Sequence, residues 1–204
     1  DVDGALFARI GDKASMNLNA KATWGHTADF LDVVAISDTR IVVAYSSLQE
    51  IGEPGRVAVL DRGTGTTLSV EAQGVFAASA TRHIALSALD STHVVAMYRD
   101  LEDAFAASAT VITIGTNSVG VSTPATFHTS SSLPDALALS AATSSASKAV
   151  VAYRNNDDEV TVVDLDISGE NIIVGYAVPT GRSHKAQRVI AVPQVAGSAL
   201  MVVT

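Results

Sequence analysis

Histidines and carboxylates are the side chains of this sequence best suited to hold a metal or move a proton, and their spacing serves neither role. His26, His83, His128 and His184 lie 45 to 57 residues apart, never as His-X-His or His-X3-His pairs. A metal ion needs its ligands converging within about 2–2.5 Å, which side chains on separate structural units rarely achieve. Surface or loop-capping roles fit these histidines better, and no metal site is expected. The run Asn155-Asn156-Asp157-Asp158-Glu159 offers oxygen ligands of the kind calcium takes, without the alternation and the glycine of a calcium loop, so it reads as a solvated acidic turn. Asp100 with Asp103, or Asp164 with Asp166, would suit glycoside hydrolysis only if raised onto the floor of a cleft. Gly63-Thr64-Gly65 begins like a dinucleotide fingerprint but lacks the third glycine and sits where a hairpin turn is expected. There is no Gly-X-Ser-X-Gly elbow and no cysteine, which removes two common nucleophiles, disulfides, and any cue to the redox compartment. Trp24, the sole tryptophan, reads as packing between structural units rather than stacking on a sugar. No catalytic residue and no cofactor is expected, and the chain is read as non-enzymatic.

What would position these residues is a repeat. An apolar segment recurs as Ile41-Val42-Val43-Ala44-Tyr45, Val94-Val95-Ala96-Met97-Tyr98, Val150-Val151-Ala152-Tyr153 and Leu200-Met201-Val202-Val203-Thr204, in steps of 53, 55 and 51 residues. Periods of about 40 to 55 residues mark propellers and related arrays. A strand precedes each anchor (Val33 to Asp38, Ile84 to Asp90, Ala136 to Thr143, Val189 to Val195), and two follow each of the first three (Arg56 to Leu60 then Leu68 to Phe76; Thr110 to Ile114 then Val119 to Phe127; Val160 to Val163 then Ile172 to Val178). The unit is thus four short strands, A, B, C and D, with the anchor as B. The N-terminal stretch holds only C (Leu6 to Gly11) and D (Met16 to Trp24), and the C-terminal stretch only A and B. Pairing the last B strand, Leu200 to Val203, with Ala5 to Ile10 would complete a fourth sheet and remove two aggregation-prone edges. The expected fold is therefore all-β: a four-bladed β-propeller of sixteen strands whose closing blade is shared between the N- and C-termini. Its divisions are a half blade at 1–27, blades at about 28–80, 81–130 and 131–181, and a half blade at 182–204, forming one domain.

Composition agrees. The strand segments are rich in Val, Ile, Thr and Ala, and are broken by Gly, Asn, Asp and Ser every eight to twelve residues or so. The C-to-D turns, Gly11-Asp12-Lys13, Arg62 to Gly65, Gly115-Thr116-Asn117 and Ser168 to Asn171, carry residues that tolerate positive φ. Net charge is −8 with no basic run, which speaks against nucleic acid and anionic membrane surfaces as partners. No apolar run approaches the roughly 18 residues of a transmembrane helix, so no direct membrane insertion is expected. Asp1 in place of a methionine suggests a processed chain or a fragment; if processed, the protein is secreted or sits in an organelle lumen.

The motif Leu89-Asp90-Ser91-Thr92-His93-Val94-Val95-Ala96-Met97-Tyr98-Arg99-Asp100, repeated more loosely around Tyr45 and Tyr153, resembles tandem β-repeats found in secreted or luminal proteins of unicellular algae. The resemblance implies a propeller-like fold and no known activity. The Gly-His and Trp-Asp marks of WD40 proteins and the kelch double glycine are absent.

In a propeller, the B-to-C loops and the D-to-A connections open on one face. That face would collect Arg99, Asp100, Glu102 and Asp103 from one loop and Arg154, Asn155 and Asp157 from the next, the residues expected to meet a partner. Loops that differ between blades favour a single protein partner over equivalent ligand sites. The expected role is a structural scaffold docking as a soluble subunit onto a larger protein assembly. The alternatives are a lectin-like carbohydrate-binding module and, behind it, a glycoside hydrolase.

Overall fold

The computed structural model describes residues 27–62, 68–103, 105–129, 139–155 and 159–183, with the short strand segments Ala5–Leu6, Ala22–Thr23, Ile190–Val192 and Met201–Val203. Every regular element among the described residues is a strand: β1 (Ala5–Leu6), β2 (Ala22–Thr23), β3 (Ala28–Ala35), β4 (Arg40–Ser47), β5 (Pro54–Asp61), β6 (Ser69–Ala88), β7 (His93–Asp100), β8 (Ala107–Ile114), β9 (Val119–Val121), β10 (Ala125–His128), β11 (Leu139–Ser145), β12 (Lys148–Arg154), β13 (Glu159–Ser168), β14 (Asn171–Val174), β15 (Val178–Ser183), β16 (Ile190–Val192) and β17 (Met201–Val203). All their pairings are antiparallel. The pairings give three meanders with the expected A-B-C-D order. The first is β3, β4, β5 and the first half of β6; the second is the rest of β6 with β7, β8 and the pair β9 and β10; the third is β11, β12, β13 and the pair β14 and β15. The terminal segments pair as two further hairpins, β1 with β2 and β16 with β17.

β6 departs from the sequence reading, which has separate strands at Leu68 to Phe76 and Ile84 to Asp90. It is one strand of 20 residues, because Ala77-Ala78-Ser79-Ala80-Thr81-Arg82 contains neither glycine nor proline to turn the chain. The strand changes partners instead of ending, pairing with β5 up to Ala80 and with β7 from Thr81. The outer strand of the second sheet is broken between β9 and β10, where Pro124 lacks a ladder donor. Ser122 fills the gap: its Oγ accepts from Val111 N (2.9 Å), and its carbonyl accepts from Thr110 Oγ1 (2.9 Å).

The sheets pack face to face. Val42, Ala44, Val57, Val59 and Phe76 of the first meet Ile84, Leu86, Val94, Ala96, Tyr98 and Ile112 of the second. The opposite face of the second sheet, with Val95, Met97 and Val111, meets Val151, Tyr153, Val163 and Leu165 of the third. The B strand of the second sheet, β7, is therefore covered on both sides, and β4 is buried along its length after Arg40. That explains why the anchor segments run apolar without alternation. Val43 and Val95 are both wholly buried, as are Tyr45, Tyr98 and Tyr153 within 1%. Burying the phenol groups pushes all three tyrosines above their ordinary ionisation range, Tyr45 to about 12.

Repeat equivalence extends to backbone irregularities. Opposite Tyr45 the first strand bulges at Phe30 and Leu31, and opposite Tyr98 it bulges at His83 and Ile84. The leading bulge residues have positive φ, 49° at Phe30 and 50° at His83, and their rings pack 5.1 Å apart. Two residues on, Asp32 Oδ2 accepts from Leu86 N at 2.7 Å, joining the A strands of neighbouring sheets. Burial raises its carboxyl above the usual range against the pull of that hydrogen bond. In the C-to-D turns, Asn117 (φ 56°) and Gly169 (φ 61°) occupy the left-handed positions that the sequence assigns to Gly and Asn.

Candidate functional site

Ser47, Asp100 and Asn155 stand at one repeat position, two residues beyond the anchor tyrosine, and each ties down the loop that follows. Ser47 Oγ donates to Glu50 Oε1 (3.0 Å). Asp100 Oδ1 accepts from Glu102 N (3.0 Å) and Asp103 N (3.2 Å). Asn155 Oδ1 accepts from Glu159 N (2.9 Å). Asp100 and Asn155 thus accept from backbone a few residues on, the usual way short polar side chains organise tight loops, whereas Ser47 holds its loop through a side chain. The first two loops also close alike, on a positive-φ residue three positions before the partner of the anchor tyrosine: Glu53 (44°) and Phe105 (61°).

The partner-switching stretch of β6 lies between these two loops. Thr81 N donates to Glu53 O (3.2 Å), and Leu101 N donates to Ala80 O (2.9 Å), so adjacent residues of one strand hold both. Side chains reinforce the junction. Arg82 pairs with Glu53, reaches Ser46 Oγ at 3.4 Å, and lies 5.1 Å from the Phe30 ring. Ser79 Oγ donates to Asp100 Oδ2 at 2.7 Å. Arg56 makes a two-point contact with Glu50, Nη2 to Oε2 being 2.6 Å, and that carboxylate holds the guanidinium more firmly protonated than usual.

The partner-contact residues expected from sequence divide three ways. Arg99 and Arg154 are buried, at 5% and 7% exposure, with Arg99 lying 4.7 Å from the Phe105 ring centre. Neither stands on the rim as expected, and Arg99 supports its loop from beneath, because Phe105 folds back over the guanidinium. Asp100 and Asn155 spend their side-chain oxygens as loop caps. Glu102 and Asp103 are exposed, and neither makes an ion pair among the described residues. Asp157 lies outside the described residues, as do Trp24, His26, His184 and Gly63 to Gly65.

The other motifs resolve into local structure. His83 belongs to the bulge between the first two sheets, whereas His128 packs on Tyr153 (5.1 Å between rings) between the second and third. Among the described residues, no three His, Asp or Glu side chains are grouped to hold a metal ion. Asp100 donates no carboxylate to a cleft, since both its oxygens accept within the loop junction. Asp166 is exposed and paired with Lys148.

Sequence reasoning missed three apolar residues on the same two loops. Ile51 is fully exposed at the tip of the first, Leu48 is 41% exposed beside it, and Phe105 is 38% exposed on the second. Their signal in the sequence is weak: isolated apolar residues in charged loops, without period. No family model matches this chain, and no curated protein matches it.

Proposed function

We propose that the chain is a non-enzymatic four-bladed β-propeller, its fourth blade divided between the two ends of the sequence, acting as a scaffold that docks onto a larger protein assembly through the loop end. The observation that carries the docking reading is the contrast between constant frame and variable content. The cap position recurs in all three sheets, yet the loops it organises share neither charge pattern nor apolar content, as expected of a surface meeting one asymmetric partner.

The propeller reading draws support from three four-stranded meanders stacked in sequence, from a strand running out of one sheet into the next, and from β16 lying against β11 and β12. A further support is the Tyr45 face of the first sheet. All described members of its cluster come from that sheet, yet Val43, Tyr45, Ala58 and Leu60 have no exposed surface, the condition a closing blade would create. Closure by pairing of Leu200 to Val203 with Ala5 to Ile10 is part of this proposal; of those segments, Ala5–Leu6 pairs with Ala22–Thr23 and Met201–Val203 with Ile190–Val192, as two separate sheets, and residues 7–10 and Leu200 lie outside the described residues.

Cross-linking of the native chain in its source material, followed by identification of the attached proteins, tests the scaffold reading: a recurrent protein partner joined through residues 48–53 or 101–106 is expected. Titration calorimetry giving saccharide binding with a stoichiometry near four would replace it with the lectin. For the fold, removing the first twelve residues should cause aggregation or loss of cooperative unfolding, and a monomer with an unchanged melting temperature would overturn closure.

A further inference from the structure

We infer that the loop end binds a basic protein segment anchored by apolar side chains, a reading that rests on the docking proposal and specifies the partner's chemistry. Single exposed apolar side chains are ordinary on protein surfaces. Here three large ones, Leu48, Ile51 and Phe105, stand on two loops held side by side by consecutive residues of one strand, Ala80 and Thr81. The loops are also tied down. Each is capped at its start and closed by a positive-φ residue, and Phe105 is braced from below by Arg99. Rigid apolar anchors in a polar surround are the arrangement that concentrates binding energy, because little conformational entropy remains to be lost on association.

Charge selects the partner. Of the basic side chains of the junction, Arg56 is matched by Glu50 and Arg82 by Glu53 and Arg99 is buried beneath Phe105, while Glu102 and Asp103 face outward without a counter-charge among the described residues. The whole chain carries −8. The field at this end is therefore acidic, attracting a segment with lysine or arginine around its apolar residues and repelling anionic lipid headgroups. A membrane surface is accordingly the weaker occupant, although the same loop tips could enter a neutral bilayer.

Three probes separate these outcomes: a fluorescent peptide alternating leucine and lysine, its counterpart with glutamate for lysine, and vesicles of neutral phosphatidylcholine. The full chain should bind the lysine peptide, less tightly as salt rises, and show much weaker binding to the glutamate peptide. Ile51→Ser with Phe105→Ser should weaken that binding about tenfold or more, and Glu102→Lys with Asp103→Lys should weaken it and flatten its salt dependence. Ile173→Ser, which removes an exposed apolar side chain from the third sheet, should change nothing. All four positions tested on the loops are at least partly exposed, so the chain should stay cooperatively folded, with the melting midpoint lowered only by loss of the Phe105 contact with Arg99. Equal binding of both peptides, or binding indifferent to both loop variants, overturns the proposal; so does Ile51-dependent binding to the vesicles without binding to the lysine peptide. If cross-linking finds a protein partner that neither loop variant releases, the scaffold reading stands and this inference falls. If no partner is found but the lysine peptide binds as described, the reverse holds.

Discussion

The two ends of the sheets use the same repeat differently. At the A-to-B turn end, each turn is held by a side-chain acceptor at one repeat position. Ser37 Oγ accepts from Thr39 N and Arg40 N, Asp90 Oδ1 from Thr92 N and His93 N, and Ser145 Oγ from Ser147 N. The residue opening the following strand is Arg40, His93 or Lys148, and each meets an acid within the chain: Glu71, Asp90 and Asp166. Even the links between sheets are internal there, from Arg40 to the Gly115 carbonyl (3.2 Å) and from Thr113 to Glu170 (3.4 Å). At the loop end the caps and the positive-φ closures also recur, but Glu102 and Asp103 are left without a counter-charge and Leu48, Ile51 and Phe105 without apolar cover. Repetition is thus strict where backbone must be satisfied and relaxed where side chains face outward. One end meets its strand-opening basic residues within the chain, and the other leaves acids and large apolar side chains exposed.

That contrast rests on a shared core, and breaking the core should erase it. Val95 has no exposed surface and lies between the second and third sheets, so Val95→Asp should cost more than about 4 kcal/mol by forcing an unpaired carboxylate into an apolar layer; urea denaturation of a variant as stable as the parent would show that this face is open. The core tyrosines give the next largest effect. Tyr45 ionises near 10 when unfolded and near 12 when folded, and burial moves Tyr98 and Tyr153 in the same direction. A raised folded value means that the stabilisation is complete below pH 10 and is lost as pH climbs toward 12. Beyond the contribution of the exposed Tyr176, tyrosinate absorbance at high pH should therefore rise together with loss of the far-ultraviolet dichroism; ionisation of Tyr45, Tyr98 and Tyr153 in a still folded chain would contradict their burial.

Smaller changes sharpen the comparison between ends. At the loop end, a Cβ on Gly55 would come within 2.5 Å of the Phe76 ring, so Gly55→Ala should cost about 1–3 kcal/mol through overpacking. At the turn end, Gly169→Ala meets open space and only the strain of a φ of 61°, about 1–2 kcal/mol. Thermal melts of the two variants should rank them in that order, and a reversed order would mean that Phe76 yields readily. The smallest effects belong to the ion pairs. Arg40→Ala breaks a two-point contact with Glu71 that is about four-fifths shielded and should cost about 1 kcal/mol, whereas Lys148→Ala removes a pair more than half exposed and should leave the melting midpoint unchanged.

Much of the architecture was legible in the sequence because it follows from local rules. Four apolar anchors at a near-constant step, with turn residues between them, dictated strand identity, the A-B-C-D order and the burial of Val43, Val95 and the anchor tyrosines, since a strand apolar on both faces must be covered on both. The turn positions of Asn117 and Gly169 followed from the φ values that only such residues take easily. What tertiary structure alone decided concerns direction and partnership. The absence of glycine and proline from Ala77 to Arg82 lets the chain continue as one strand, but nothing there reveals the exchange of hydrogen-bonding partner, because that exchange depends on where the next sheet stands. Arg99 and Glu102 are both charged and three residues apart in the sequence, yet the first lies beneath Phe105 at the end of β7 and the second faces water. Charge and spacing are properties of the sequence, but burial is a property of the neighbours, and those neighbours arrive from strands that are distant in the chain.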